Sequence, residues 1–254
     1  MDFVVVCSQR TGSTLLTQLL DNQTDVLCNG AIFEARPGRM PVRWAKEPGV
    51  MEELVHLRAN NPEAFLARVL AERLGCHSVG FKICQGHNDR ILDKLLVDPA
   101  IGKIVLIRQN VLAVYSSAMI ARESGERRTT VVGTASDAKT QVEFNARRFL
   151  LFWERYAAYY RSVFERINSS RQAFQIMHYT EINDPWYFER LLAYIGVEPV
   201  RDRAEVKNKK QNSSDILSRF ANPEQTLEFL NDHQLMAWRY EAETSLDPTL
   251  ARGG

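Results

Sequence analysis

The sequence has no surplus of either charge. Its 32 lysines and arginines stand against 31 aspartates and glutamates in 254 residues, so no global field argues for nucleic acid or an anionic surface, and any anion site has to be local. It also has no CxxC spacing. The four cysteines, Cys7, Cys28, Cys76 and Cys84, read as reduced thiols of a cytoplasmic protein rather than as a disulfide framework. A basic and then apolar leader is missing too: Met1-Asp2 passes straight into Phe3-Val-Val-Val-Cys7, which reads as a strand. No stretch approaches the roughly 18 uninterrupted apolar residues of a membrane-spanning helix, so a soluble chain is expected. There is no acidic cluster to suggest a metal, and no internal repeat.

What is present is an ordinary globular composition, 45% hydrophobic and 25% charged, in a chain long enough for one sizeable core. A single domain over 1–254 is the expectation. Phe3 to Cys7 reads as a strand and Thr14 to Leu20 as a helix, with leucines at 15, 16, 19 and 20. Asp25 to Gly49 breaks into glycines, prolines and aromatics and reads as irregular. Helix is expected over most of Glu47 to Leu74, over Asn88 to Leu96, from Asn110 through Ile120, over Lys139 to Ile167 and over Pro185 to Ile195, the last closed by Gly196. Strands are expected at Ser78 to Ile83, Lys103 to Ile107 and Ala173 to His178, and two short amphipathic helices at Asp215 to Phe220 and Pro223 to Leu230. Alternating strand and helix specify an α/β fold, a mostly parallel central sheet covered by helices.

Ser8-Gln9-Arg10-Thr11-Gly12-Ser13-Thr14 lies between the first strand and the first helix. Backbone N–H groups and the helix N-terminus converge there on a volume that favours an anion. Gly12 permits close approach, Ser13 and Thr14 add hydroxyls, and Arg10 adds a fixed charge. The alternative is that these residues only cap a helix. The loop is not the nucleotide-binding GxxxxGK[ST], which needs an earlier glycine and a lysine after the second. Its order, basic-x-Gly-[Ser/Thr]-Thr after a first strand, resembles the 5′-phosphosulfate loop of the sulfotransferase family.

A second stretch, Ile104-Val-Leu-Ile-Arg108-Gln-Asn-Val-Leu-Ala-Val-Tyr-Ser116, resembles that family's 3′-phosphate site, an Arg at a strand end and a Ser eight residues on. It departs from the common Arg-Asp/Asn-Pro in having Arg108-Gln109-Asn110. Arg108 is placed at the carboxyl end of a strand, where open α/β sheets bind ligands. Taken alone, Arg108 is equally a surface ion-pair partner and Ser116 a packing residue. Lys207-Asn-Lys-Lys210-Gln211-Asn212 resembles a basic loop of bacterial carbohydrate and lipid sulfotransferases related to nodulation-factor enzymes; a solvated basic loop is the plainer reading. The resemblance spans Phe3 to about Leu230. It implies a P-loop-like sulfotransferase fold, 3′-phosphoadenosine-5′-phosphosulfate (PAPS) as donor, PAP as product, no metal, and Arg10, Thr11, Gly12, Ser13, Thr14, Arg108, Ser116, Lys210 and Gln211 as donor-binding residues.

Sulfuryl transfer resembles phosphoryl transfer, in which positioning and fixed donors supply most of the catalysis. An acceptor hydroxyl must also lose a proton to a general base. Many cytosolic members carry Lys-Thr-His; Phe81-Lys82-Ile83-Cys84 puts cysteine at that histidine position. Other members use a glutamate after the first helix, and Ala31-Ile-Phe-Glu34-Ala-Arg36 resembles that element. Glu34 is therefore the expected base, with Arg10 and Lys82 as catalytic cations. A surface pairing of Glu34 with Arg36 or Arg39, and His87 as base or as a helix-cap histidine, remain alternatives. Tyr179-Thr-Glu-Ile182 resembles the family's Tyr-Glu-Asp-Leu, with a packing role. The expected acceptor is a hydroxyl on a carbohydrate, lipid-linked sugar or small molecule, in a pocket shaped by Asp25 to Gly49 and Glu123 to Lys139. Trp44 and Phe33 are candidates for stacking on it or for local core. The rival readings are a P-loop small-molecule kinase and a non-catalytic nucleotide-binding relative.

Overall fold

The computed structural model describes residues 1–34, 42, 44–123, 140–199 and 213–241. The basic stretch with Lys210 and Gln211, Arg36, Arg39 and most of Glu123 to Lys139 lie outside the described residues. Five strands, β1 (Phe3–Cys7), β2 (Val26–Cys28), β3 (Ser78–Cys84), β4 (Gly102–Ile107) and β5 (Phe174–His178), form one sheet in the order β2-β3-β1-β4-β5. Every neighbouring pair is parallel, which confirms the α/β class. From β1 the chain continues on one side of the sheet to β2 and β3, and from β4 on the other side to β5. Such a reversal marks the ligand crevice of an open parallel sheet, at the carboxyl ends of β1 and β4.

The chain forms two compact units, Met1–Ile107 with Val163–Val206, and Arg108–Ser162 with Lys207–Gly254. The first holds the whole sheet. On one sheet face, Phe3, Val5 and Cys7 of β1 join Ile104 and Leu106 of β4 in a core with Leu16, Leu19 and Leu20 of α1 (Ser13–Asp21) and Phe188, Leu191, Leu192 and Ile195 of α7 (Pro185–Ile195). Each such leucine contributes about 1.5–3 kcal/mol by leaving water. Phe3 fits only because its partner in β3 is Gly80, where a Cβ would fall 2.2 Å from the phenyl ring. On the other face Phe81 packs edge-on with Phe33, which in turn meets Phe65. Phe65 belongs to α3 (Pro62–Ala71), which follows α2 (Pro48–Asn60) after a break at Asn61-Pro62, where proline opens the new helix and the Asn61 side chain caps it. Helix α4 (Asp89–Val97) is capped in the same way by Asn88.

The second unit is built on aromatic rings from α5 (Val111–Glu123), the amino-terminal part of α6 (Ala146–Ser169), α8 (Pro223–Asp232) and the short 3-10 turn Met236–Arg239. Tyr115, Phe144, Phe149, Phe229 and Trp238 meet mostly edge to face, and Trp153 lies edge-on to Trp238 with ring centroids 4.7 Å apart.

Three expectations are corrected. The Asp25 to Gly49 segment is not wholly irregular: it contains β2 and the start of α2. The long helix starts at Ala146 rather than Lys139, because Val142 pairs with the backbone around Phe220 and the Asn145 side chain caps the helix by accepting from Arg148 N–H. Asp215 to Phe220 is a single 3-10 turn, Leu217–Arg219. Among the described residues, no helix is long and apolar enough to cross a membrane.

Candidate active site

The Ser8 to Thr14 loop leaves the carboxyl end of β1. Two of its residues have left-handed backbone, Arg10 with φ 66° and Gly12 with φ 87°. For arginine this conformation is uncommon and is retained only where the surroundings enforce it. Gly12 is the residue before α1 and, having no side chain, gives that helix no side-chain cap. The Thr11 hydroxyl turns inward to Ser8 O at 2.8 Å. A Cβ on Gly12 would lie 2.6 Å from the Tyr179 ring and 3.1 Å from Ile182. The Tyr179 to Ile182 segment therefore packs directly on the loop.

Lys82, 4% exposed on β3, donates from Nζ to Ser13 Oγ at 3.3 Å and to Thr14 Oγ1 at 2.8 Å. A hydroxyl has two lone pairs and one proton. With the ammonium on the lone pairs, the protons are directed to a different acceptor. A lysine of the adjacent strand thus reaches the loop.

Cys84, two residues on, meets Cys7 with sulfurs 3.2 Å apart. Hydrogen bonding to Cys7 and then burial push the Cys84 thiol well above its usual range, whereas the hydrogen bond from Cys84 holds Cys7 down. A thiol held up in this way stays protonated and is a poor base. The Lys82 ammonium opposes this rise and the Glu34 carboxylate adds to it. Arg58 fixes the Glu34 segment by donating to Ile32 O at 3.2 Å and Glu34 O at 2.9 Å. His87 accepts from Cys84 N–H through Nδ1 at 3.3 Å. Phe33 is core rather than a stacking surface, 3% exposed. Trp44 carries the Arg68 guanidinium 5.3 Å from its ring centroid.

In the second unit, Arg108 opens the segment after β4 and is 7% exposed. Its main chain is fixed by Tyr156, whose hydroxyl accepts from Arg108 N–H at 3.1 Å and donates to Arg108 O at 2.9 Å. Asn110, the departure from the family's proline, caps α5 by accepting from Ala113 N–H at 2.9 Å and donates to Trp238 O at 2.9 Å. A proline has no side chain for either bond. Ser116 is fully buried, and its Oγ accepts from Arg219 at 3.2 Å. Arg108 donates from Nε to Glu241 Oε1 at 2.9 Å and pairs through its second nitrogen with Oε2. Arg219 reaches the same Oε2 at 3.5 Å. Arg108 and Ser116 thus belong to one buried cluster. Arg219 and Glu241 are its unanticipated members, 103 and 133 positions from Ser116 and Arg108, with no local motif to announce them.

No protein-family model matches the chain, and no curated protein matches it. Solved structures similar to it include sulfotransferases. One from Alicyclobacillus acidocaldarius is 18% identical, with 99% of each chain covered and a TM-score of 0.48. The sulfotransferase domain from the curacin biosynthetic pathway is 11% identical over 89% of this chain and 86% of that one, TM-score 0.46. Mouse sulfotransferase SULT7A1, complexed with PAP, is 10% identical over 92% and 84%, TM-score 0.46.

A shallow depression lined by Met1, Asp2, Arg73, Cys76 and His77 lies at the amino ends of β1 and β3, opposite the crevice, with Arg73 and Asp2 already paired at 2.7 Å. It offers no comparable chemistry.

Proposed function

We propose that the chain is a PAPS-dependent sulfotransferase acting as one domain over 1–254. The observation that carries this reading is the Lys82 ammonium bonded to the Ser13 and Thr14 hydroxyls, in a loop whose own cation is Arg10. It gives the loop two basic groups, two hydroxyl donors and a helix N-terminus for one anion, without the loop lysine of a nucleoside-triphosphate site. The loop receives the 5′-phosphosulfate, and Arg108 with Ser116 receives the 3′-phosphate.

In the transfer, Glu34 takes the acceptor's hydroxyl proton as the acceptor oxygen bonds to sulfur. The bond from sulfur to the bridging phosphate oxygen breaks, and its electron pair leaves with PAP. Arg10 and Lys82 stabilise the charge on the sulfuryl and leaving oxygens, and the Ser13 and Thr14 hydroxyls donate to them. Cys84, a thiol held protonated beside Cys7, is unsuited to replace Glu34. The acceptor is a hydroxyl of a carbohydrate, lipid-linked sugar or small molecule, and Lys210 and Gln211 are counted among the donor-binding residues. The reduced thiols suit the cytoplasm.

A kinase needs a magnesium-binding carboxylate after β4, where this chain has Arg108. Thermal unfolding with PAP, ATP plus magnesium, and NAD separates the readings. Stabilisation by PAP in preference to the other two is expected. Stabilisation by ATP and magnesium alone establishes the kinase reading, and PAP binding without sulfuryl transfer to any acceptor in a library establishes a non-catalytic relative.

A further inference from the structure

The Arg108 cluster already contains an anion. Glu241 is 4% exposed and Arg219 3% exposed, and the carboxylate lies across both guanidinium groups. The rest of Arg219 is fixed independently of Glu241: Nε donates to Ser213 O at 3.1 Å and a terminal nitrogen to Ala113 O at 3.4 Å, while the same terminal nitrogen reaches Ser116. The two arginines and the serine therefore form a seat organised by the backbone. Glu241 is delivered to it by a separate segment, held through Ile216 N–H donating to Arg239 O at 2.8 Å, Glu241 N–H donating to Ser214 O at 3.2 Å, and Asn110 bonding Trp238 O.

The Glu241 carboxylate offers two oxygens to this cluster. Its two oxygens are shared among three arginine nitrogens, and the Ser116 hydroxyl turns back to Ala113 O at 3.2 Å. A phosphate monoester carries about −1.5 to −2 at neutral pH and three acceptor oxygens. Its oxygens can accept from both guanidinium groups and from the Ser116 hydroxyl at once, in the place where the carboxylate of Glu241 lies. Buried ion pairs persist only when charge and geometry are both met.

We propose that Arg219 is a third ligand of the donor's 3′-phosphate, and that Glu241 is an internal stand-in for that phosphate, which the donor must displace to bind. This rests on the PAPS reading for the identity of the phosphate. The exchange makes the affinity for the donor depend on the fraction of molecules in which Glu241 has left, and it couples donor binding to release of the segment around Arg239.

The test compares wild type with Glu241→Gln, which keeps size and one acceptor but removes the charge, by calorimetric titration with PAP, adenosine 5′-phosphate and inorganic phosphate. The variant is expected to bind PAP about tenfold more tightly than wild type, with adenosine 5′-phosphate unchanged. Equal or weaker PAP binding by the variant, with wild type binding PAP, overturns the stand-in and leaves the donor reading intact. Tighter inorganic phosphate with no preference for PAP over adenosine 5′-phosphate supports the stand-in and overturns the donor reading. No gain for either ligand overturns the stand-in. A second measurement needs no variant: in wild type, PAP is expected to speed amide exchange at Ile216 and Glu241, and unchanged or slower exchange on PAP binding overturns the displacement.

Discussion

The two proposed anion sites differ in the bonds that their cations make. In the loop after β1, Lys82 bonds to the Ser13 and Thr14 hydroxyls, whose oxygens accept. In the cluster after β4, Arg108 and Arg219 share a carboxylate, and the site is occupied by the protein itself. The first arrangement suits the end of the donor where charge develops during reaction, since preorganised donors there need no rearrangement. The second suits an end that only binds, because displacing an internal anion costs affinity but leaves the chemical step untouched.

The contrast breaks most directly by comparing Arg10→Ala with Arg108→Ala. Arg10→Ala is expected to lower kcat by about 10²–10³-fold, the usual effect of losing one donor to a developing oxyanion. Arg108→Ala is expected to raise KM for the donor with kcat nearly unchanged, as for uniform binding. Steady-state kinetics with labelled donor reads both, and a kcat loss in Arg108→Ala erases the distinction. Glu34→Gln comes next: a loss of about 10²–10⁴ in kcat, with PAP affinity retained, is expected of a missing general base. Normal turnover in that variant removes Glu34 from the mechanism and returns His87 to candidacy.

Stability tests the same two regions at smaller scale. Gly12→Ala places a methyl against the Tyr179 ring at a positive φ, and Tyr156→Phe leaves Arg108 N–H and C=O unpartnered by the phenol. Each is expected to cost about 1–3 kcal/mol in urea denaturation. Tyr156→Phe should also weaken PAP binding, whereas an unaltered midpoint shows that Arg108 is positioned by other contacts. The smallest effect concerns pH. Burial holds the His178 imidazole below its ordinary 6.5, opposed by Glu181. The unfolded chain therefore takes up the proton first as pH falls, so this contribution to stability is complete above about 6.5 and is lost as pH drops through the folded value. Melting temperatures from pH 7.5 down to pH 5 should fall less steeply in His178→Leu than in wild type, and parallel curves reject the assignment.

The legibility of each region in the sequence follows from the range of its contacts. Phe3 to Cys7, the loop and the α1 leucines are contiguous, and strand, turn chemistry and helical spacing all agree over 19 residues. Arg108 and Ser116 are legible for the same reason, being eight apart on one strand and helix. Strand β2 was hidden because three residues, Val26 to Cys28, are too few to show a period of two, and pairing with β3 decides their conformation. The true start of α6 was hidden because Val142 is held by the backbone around Phe220, some 78 residues on. Glu241 and Arg219 were illegible on the same physical ground: a buried ion pair closing a loop of 133 residues leaves no trace in local spacing. The likeness of Lys82 to a catalytic cation was readable, but its bonds to Ser13 and Thr14 arise from the pairing of β3 beside β1.

Trp238 lies three residues before Glu241 and edge-on to Trp153 at 4.7 Å, close enough for the two indoles to couple electronically. The chain thereby carries a native optical label on the segment that delivers Glu241. Near-ultraviolet circular dichroism and tryptophan emission should both register movement of that segment, without any added dye.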